Sequence, residues 1–156
     1  MIRAATIDDV PLILAFIKDL AEYERLAHEV VADEAQLRAT LFGPRPAAEV
    51  LIACDPDPVG FALFFTSYST FLGKPGLYLE DLFVRPVARS RGIGKALMGA
   101  CAQIAVERDY GRFEWSVLDW NEPALAFYRR LGAAPMADWT VHRLTGEPLR
   151  ALAKRA

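Results

Sequence analysis

The stretch VRPVARSRGIGKAL, residues 84–97, begins at the end of a strand-like run and leads into an apolar helical stripe. Its glycines, Gly92 and Gly94, let the backbone turn without a side-chain clash, so that successive N–H groups can converge on one point. The amino terminus of the following helix adds a partial positive charge there, and the arginines and lysine of the loop add full charges. The sequence therefore predicts a strand, a phosphate-binding loop and a helix in direct succession.

Three phosphate-loop patterns compete for this stretch. The pattern GxxxxGK[ST] fails because an alanine follows the Gly-Lys pair, where a Mg²⁺-binding hydroxyl is required. The dinucleotide pattern GxGxxG fails because Leu97 stands at the third glycine. The pattern [R/Q]xxGxG/A fits fully, at Arg89, Gly92 and Gly94. A glycine-rich turn with a solvated basic rim is the alternative interpretation.

Hydrophobic periodicity, capping residues and turns predict the other elements. A capping pair, Thr6 and Asp9, precedes a predicted helix whose apolar run begins at Val10 and which ends at about Arg25. The other predicted helices run from the cap Asp33 to about Phe42, from Ile93 to about Arg108 and from the cap Asn121 to Gly132. The predicted strands are IRAAT, AEVLIACD, VGFALFFTSYS, GLYLEDLFVR, FEWSVL and DWTVHRLT, and EPLRALAKR is a short amphipathic tail. Hairpins combined with one strand–helix–strand crossover predict an α/β fold, a mixed sheet with helices on both faces.

Strict alternation along GLYLEDLFVR predicts which side chains share a face of the sheet. One face is expected to carry Leu77, Leu79, Asp81 and Phe83, and the other Tyr78, Glu80, Leu82 and Val84.

Composition excludes several classes of protein. With 156 residues, 53% of them hydrophobic, residues 1–156 are expected to form a single globular domain. A net charge of −2 gives no indication of nucleic-acid binding. The sequence has no metal-ligand spacing, no apolar run of about 20 residues and no signal-peptide pattern. Cys54 and Cys101 lie in apolar runs, as reduced thiols do, so we expect a cytoplasmic protein with no metal and no membrane attachment.

The segment RSRGIG after LEDLFV, with WNEPALAFYRRLGA about 30 residues later, resembles the GNAT superfamily of acetyl-CoA-dependent N-acetyltransferases. The segments LAEYERL, YLEDLFV and DWNEPALAFYRRLGA are similar to its diamine branch, which includes the spermidine/spermine and thialysine acetyltransferases. The resemblance covers nearly the whole chain. It implies the GNAT fold with a central, mostly antiparallel sheet, acetyl-CoA as cofactor, and acetyl transfer to a primary amine of a small molecule.

The resemblance also implies where coenzyme A lies. Its pyrophosphate is expected on the backbone amides of residues 89–95, called the glycine loop below. Its pantetheine arm is expected along the end of the preceding strand, like an added strand. The cofactor residues so implied are Leu82, Phe83, Val84, Arg89, Ser90, Arg91, Gly92, Ile93, Gly94, Lys95, Asn121, Glu122, Pro123, Ala124 and Tyr128. Asn121 is equally well explained as the cap of its helix. Ser90 replaces a glycine that the branch often has, and we expect it to keep a negative φ.

Amine acetylation needs a neutral attacking amine, a donor for the oxyanion and a proton for the departing thiolate. In the family, the tyrosine that matches Tyr128 is the general acid, which implies the same role here. Glu80 is expected to bind the cationic amine and accept its proton. The substrate-binding residues that the resemblance implies are Tyr23, Glu24, Glu80, Asp119 and Trp120. The competing interpretations are a packed aromatic ring for Tyr128 and solvent-exposed acids for Glu24 and Glu80.

The chain departs from the diamine branch between the helix-ending Gly-Ala and Trp139. Only APMAD stands there, shorter and less acidic than in the branch, so a small amine fits at least as well as a long polyamine. Two other activities stay open: acetylation of a protein or peptide amine, and non-catalytic binding of acyl-CoA. The family often forms dimers, and the predicted C-terminal strand and the tail, with Leu149 and Leu152, are candidates for a homodimer contact.

Overall fold

The computed structural model describes residues 1–155 and has two compact units, Met1–Leu118 and Asp119–Ala156. The first unit contains β1 (Ile2–Ala4), α1 (Val10–Tyr23), α2 (Glu34–Leu41), β2 (Glu49–Cys54), β3 (Pro58–Ser69), β4 (Lys74–Val84), α3 (Ile93–Glu107) and β5 (Phe113–Trp115). The second contains α4 (Glu122–Arg130) and α5 (Gly146–Ala153). The prediction of a single domain stays a prediction.

The five strands form one sheet in the order β1-β2-β3-β4-β5. Neighbouring strands are antiparallel except β4 and β5, which are parallel and connected through α3. A parallel pair requires such a crossover, whereas the other connections are short turns or, between β1 and β2, two helices. The predicted mixed, mostly antiparallel sheet flanked by helices is confirmed.

One face of the sheet packs against α1 and α2. The apolar residues of α1 recur at helical spacing, and four of them are buried: Val10, Ile13, Phe16 and Leu20. They meet inward-facing residues of three strands: Val50, Ile52, Phe61 and Phe83. The rings of Phe16 and Phe61 stack with centroids 5.4 Å apart, which fixes the helix against the middle of the sheet.

The opposite face packs against α3. The buried residues of this helix are Leu97, Met98, Cys101 and Ala105. Burial raises the pKa of the Cys101 thiol to about 12, so this cysteine is an inert core residue. The sheet is therefore covered on both faces, and the loop that joins β4 to α3 crosses one end of it.

The pairing of β3 with β4 has one irregularity. Leu63 lies opposite Asp81, but the next residue, Phe64, lies opposite Leu79. Glu80 is therefore an extra residue in β4, which makes a β-bulge. Because opposite residues in an antiparallel pair share a face, Asp81 lies on the same face as Leu63.

The bulge overturns the predicted face assignment of β4. Phe83 and Asp81 face α1, where Phe83 joins the core, whereas Leu77 and Leu79 lie on the other face. The contact of Tyr78 with the ring of Phe65, at 5.1 Å between centroids, fits the shifted register. Strict alternation gave the wrong answer because the side-chain period of two restarts at the extra residue.

Two predicted strands differ from the structure. FEWSVL is a strand only over Phe113–Trp115, and DWTVHRLT has no strand pairing among the described residues. A strand requires a neighbour for its backbone hydrogen bonds, and α4 and α5 are the elements of the second unit. EPLRALAKR, predicted only as an amphipathic tail, is largely helical, since α5 covers most of it. None of the helices in residues 1–155 is long and apolar enough to cross a bilayer.

Candidate active site

The glycine loop turns sharply just before α3. Gly92 has φ 78° and Ser90 has φ 63°, both left-handed, so the predicted negative φ of Ser90 is wrong. A side chain in this conformation costs on the order of 1 kcal/mol, which explains why glycine suits the position. No side chain caps the amino terminus of α3, although the Ala96 N–H donates to Gly92 O at 2.9 Å. The first amides of the helix, at Ile93 and beyond, thus form a cradle for an anion.

Arg89 is exposed, yet its guanidinium also contacts its neighbours. Its Nε donates to the carbonyl oxygen of Val84 at 2.8 Å, which ties the loop to the end of β4. The guanidinium carbon lies 4.6 Å from the ring centroid of Tyr23 and 5.6 Å from that of Phe83. Arg89 therefore joins three elements, β4, the loop and the end of α1, and it places a full positive charge beside the loop.

The last part of β4 has an open edge. β5 pairs with residues 77–79 alone, so in the described part of the chain no strand continues that side of β4 from residue 80 to its end. Leu82, Phe83 and Val84 pair with β3 on the other side. An extended ligand can add to such an edge as a further strand. The edge leads directly to the glycine loop, so the cofactor-binding residues predicted in the first unit form one continuous path.

Three carboxylates meet next to this path. Burial, and then the negative charges of Glu80 and Glu24, raise the pKa of Asp81 to about 7. Burial and the charge of Glu80 also raise the pKa of Glu24, which directly follows α1. Glu80 itself is exposed, as one of the competing interpretations has it, yet its charge acts on both neighbours. Carboxylates so close that the charge of one raises the pKa of its neighbours form a natural site for a cation.

This acidic cluster is not spaced as a metal site. Among residues 1–155, no group of three His, Cys, Asp or Glu side chains has an arrangement that could hold a metal ion. An organic cation needs charge rather than a fixed coordination geometry, and such a cluster of carboxylates supplies charge.

Asp81 is the member of this cluster that sequence reasoning missed. It follows Glu80 directly, but strict alternation placed it on the face opposite Glu80, among leucines. The available signal was the energetic cost of a carboxylate on such a face, which indicates either a partner or a break in the alternation. The bulge supplies that break.

The remaining predicted residues lie in the second unit. Asn121 is buried and its Oδ1 accepts from the Ala124 N–H at 3.3 Å, so its predicted capping role is confirmed. Tyr128 is partly buried, with its ring 5.5 Å from that of Phe127. Asp119 and Trp120 are exposed just before α4, as are Glu122 and Pro123 in its first turn.

A stability measurement tests the burial of Asp81. In the unfolded chain the carboxyl of Asp81 has its ordinary pKa of 3.8, whereas in the folded protein its pKa is about 7. The wild-type free energy of unfolding should therefore fall as pH rises from about 4 to 7. Asp81→Asn should make the fold more stable than wild type at pH 8, by on the order of 2 kcal/mol, and the gain should shrink toward pH 4.

Urea unfolding at pH 4, 6 and 8 measures this difference. Asp57→Asn, which removes a carboxylate from the turn between β2 and β3, is the control and should show no such pH dependence. A stability gain for Asp81→Asn that is the same at all three pH values would contradict the assignment.

Comparison with known proteins identifies the family of the chain. The profile of the acetyltransferase (GNAT) family matches residues 14–133. The chain is 39% identical to a thialysine N-epsilon-acetyltransferase of Bos taurus, over 98% of this chain and 96% of the relative. It is 36% identical to an L-ornithine N5-acetyltransferase of Arabidopsis thaliana, over 98% and 87% respectively. An integron cassette protein from the mobile metagenome of V. cholerae has a similar structure, with a TM-score of 0.81, 28% identity and coverage of 99% and 97%. The chain belongs to the acetyltransferase (GNAT) family and is an N-acetyltransferase.

Proposed function

We propose that this N-acetyltransferase uses acetyl-CoA to acetylate a primary amine of a small cationic molecule of the diamine, polyamine or thialysine-like class. The observation that carries the proposal is the acidic cluster at the bulge of β4, immediately before the glycine loop. The relatives named for thialysine and L-ornithine support the substrate class, because both compounds carry two amino groups.

The residues of the first unit fit coenzyme A. The uncapped amides at the start of α3 suit a pyrophosphate, and the open edge at residues 82–84 suits a pantetheine arm. When bound, acetyl-CoA supplies an activated acyl group as a thioester. A backbone N–H on the same edge of β4 is the donor that we propose for the carbonyl oxygen. In the second unit, Asn121, Glu122, Pro123 and Ala124 at the start of α4 are the further proposed contacts.

The carboxylates have two tasks in this proposal. Glu24, Glu80 and Asp81 attract the cationic amine, and Tyr23, Asp119 and Trp120 complete the proposed substrate contacts. An amine must lose a proton before it can attack. The carboxyl of Asp81, with a pKa of about 7, is suited to take a proton at neutral pH. Glu80, exposed beside Asp81, can receive the proton directly or through water.

Tyr128 is the proposed proton donor. A phenol with an ordinary pKa of about 10 is a reasonable acid toward a thiolate whose pKa is about 8.5 by analogy with cysteine. Its ring is partly buried on α4 beside Phe127, so the hydroxyl is presented from a helix.

Tyr128→Phe tests the proton donor. The substitution keeps the ring and its packing but removes the hydroxyl, so kcat should fall by roughly 10- to 1,000-fold while the Kd of coenzyme A stays unchanged. Tyr68→Phe removes a hydroxyl from an exposed ring near the turn between β3 and β4 and should leave kcat unaltered. An unchanged kcat for Tyr128→Phe across the pH range would contradict the role.

Release of free coenzyme A from acetyl-CoA tests the substrate class. The panel consists of ornithine, thialysine, lysine, putrescine, spermidine and short peptides, and a small diamine should give the highest kcat/KM. Glu80→Gln should then raise the KM of that amine by about tenfold and shift the pH profile, because a charged hydrogen bond is lost.

Glu22→Gln is the matched control, since it removes the same charge from an exposed position on α1. Peptides as the best substrates would favour a protein acetyltransferase. Binding of acetyl-CoA without turnover on any amine would indicate a non-catalytic module. Both results would overturn the proposed substrate class.

We also propose a homodimer. Apolar side chains of the second unit are strongly exposed: Trp139 by 77%, Val141 by 81%, Leu149 by 49% and Leu152 by 56%. Residues 138–145 have a strand-like pattern but no strand partner among the described residues, so a second copy is a suitable neighbour. The predicted cytoplasmic location stays a prediction.

Light scattering should give twice the chain mass of 17.3 kDa. Val141→Lys should shift the protein toward the monomer, because it places a charge in the proposed contact. Val31→Lys, which alters an equally exposed valine in the first unit, should leave the mass unchanged. A monomer mass for the wild type would exclude the dimer.

A further inference from the structure

The glycine loop carries an ion pair that the sequence pattern did not indicate. The Nη2 of Arg91 lies 2.7 Å from Oδ2 of Asp55, and both side chains are about half exposed. Asp55 follows β2, on the turn that leads into β3, far from Arg91 along the chain. Arg91 directly precedes Gly92, the residue that caps α3. A carboxylate therefore sits beside the amino terminus of the helix, where an anion is expected to bind.

The position of Asp55 is fixed by its backbone surroundings. Its N–H donates to Asp57 O at 2.8 Å, which closes the turn. The residue before it, Cys54, exchanges two hydrogen bonds of 2.8 Å with Met1, one in each direction. The carboxylate is thus presented to the loop from an anchored turn rather than from a free end.

The charges of the loop are consequently not all available to a phosphate. Arg89 is engaged by Val84 O and two aromatic rings, and Arg91 is shared with Asp55. A phosphate that binds at the start of α3 must compete with Asp55 for Arg91 and is repelled by its negative charge. Of the basic side chains Arg89, Arg91 and Lys95, only Arg91 forms an ion pair with a described carboxylate.

We propose that Asp55 sets the affinity of the glycine loop for the phosphates of the cofactor: it holds Arg91, weakens the binding of coenzyme A and so speeds its release after transfer. This inference rests on the proposed function only in taking coenzyme A as the ligand of the loop. Asp55 acts through Arg91 and is a positioning residue, not a catalytic one.

Calorimetric titration with coenzyme A tests the proposal. At low ionic strength, Asp55→Asn should lower the Kd of coenzyme A by about fivefold. In roughly 0.5 M NaCl the difference in Kd should shrink, because salt screens partly exposed charges. Asp57→Asn is the matched control: it removes the same charge from the same turn, but Asp57 has no ion pair with the described residues. Its Kd should stay within about twofold of the wild type.

Two further measurements separate the role of Asp55 from a general structural effect. In an Arg91→Gln background, Asp55→Asn should no longer change the Kd, since the carboxylate acts through that guanidinium. Pantetheine, which lacks phosphate, should bind wild type and Asp55→Asn equally.

Several results would overturn the inference while leaving the proposed function intact: an unchanged or higher Kd for Asp55→Asn, equal tightening by Asp57→Asn, or a gain that persists without Arg91. Failure of the wild type to bind coenzyme A at all would overturn the proposed function and this inference with it. Thermal unfolding of each variant checks that the fold is retained.

Discussion

One extra residue in β4 sets the geometry on which the rest of the site depends. The bulge at Glu80 shifts the register against β3, so that Asp81 faces α1 while Leu79 faces the opposite way. The strand can thereby bury leucines on one face in its first half and carry a carboxylate toward α1 in its second half. Its pairing with β5 ends at the same point, which leaves an edge open toward the glycine loop.

The two faces of the sheet support the site in different ways. On one face, the stacked rings of Phe16 and Phe61 hold α1, which ends at Tyr23 and is followed directly by Glu24. On the other, α3 is anchored by its buried apolar stripe and presents its amino terminus at the end of β4. Arg89 connects the end of β4 with the end of α1 through its hydrogen bond to the carbonyl oxygen of Val84 and its contact with the ring of Tyr23. The loop that suits a phosphate and the helix end that suits an amine are therefore held by one side chain.

The same region contains features that cost stability. Asp81 is a partly buried carboxyl next to two others, and Ser90 has a left-handed backbone. Both lie between the bulge of β4 and the start of α3, whereas the cores on either side of the sheet are apolar and well packed. Unfavourable features concentrated in one place are typical of a site that is shaped by binding rather than by folding.

The sequence by itself determined the elements that depend on local chemistry. Periodicity located α1 and α3, the capping residues Asp33 and Asn121 located the starts of α2 and α4, and the glycines located the loop. What alternation could not determine was the face of Asp81, because a bulge is visible only in the register between two strands. The ion pair of Arg91 with Asp55 and the missing strand at residues 138–145 likewise depended on distant neighbours. Only the tertiary structure decided these features, since strand register, strand pairing and charge partners are properties of segments that meet in space.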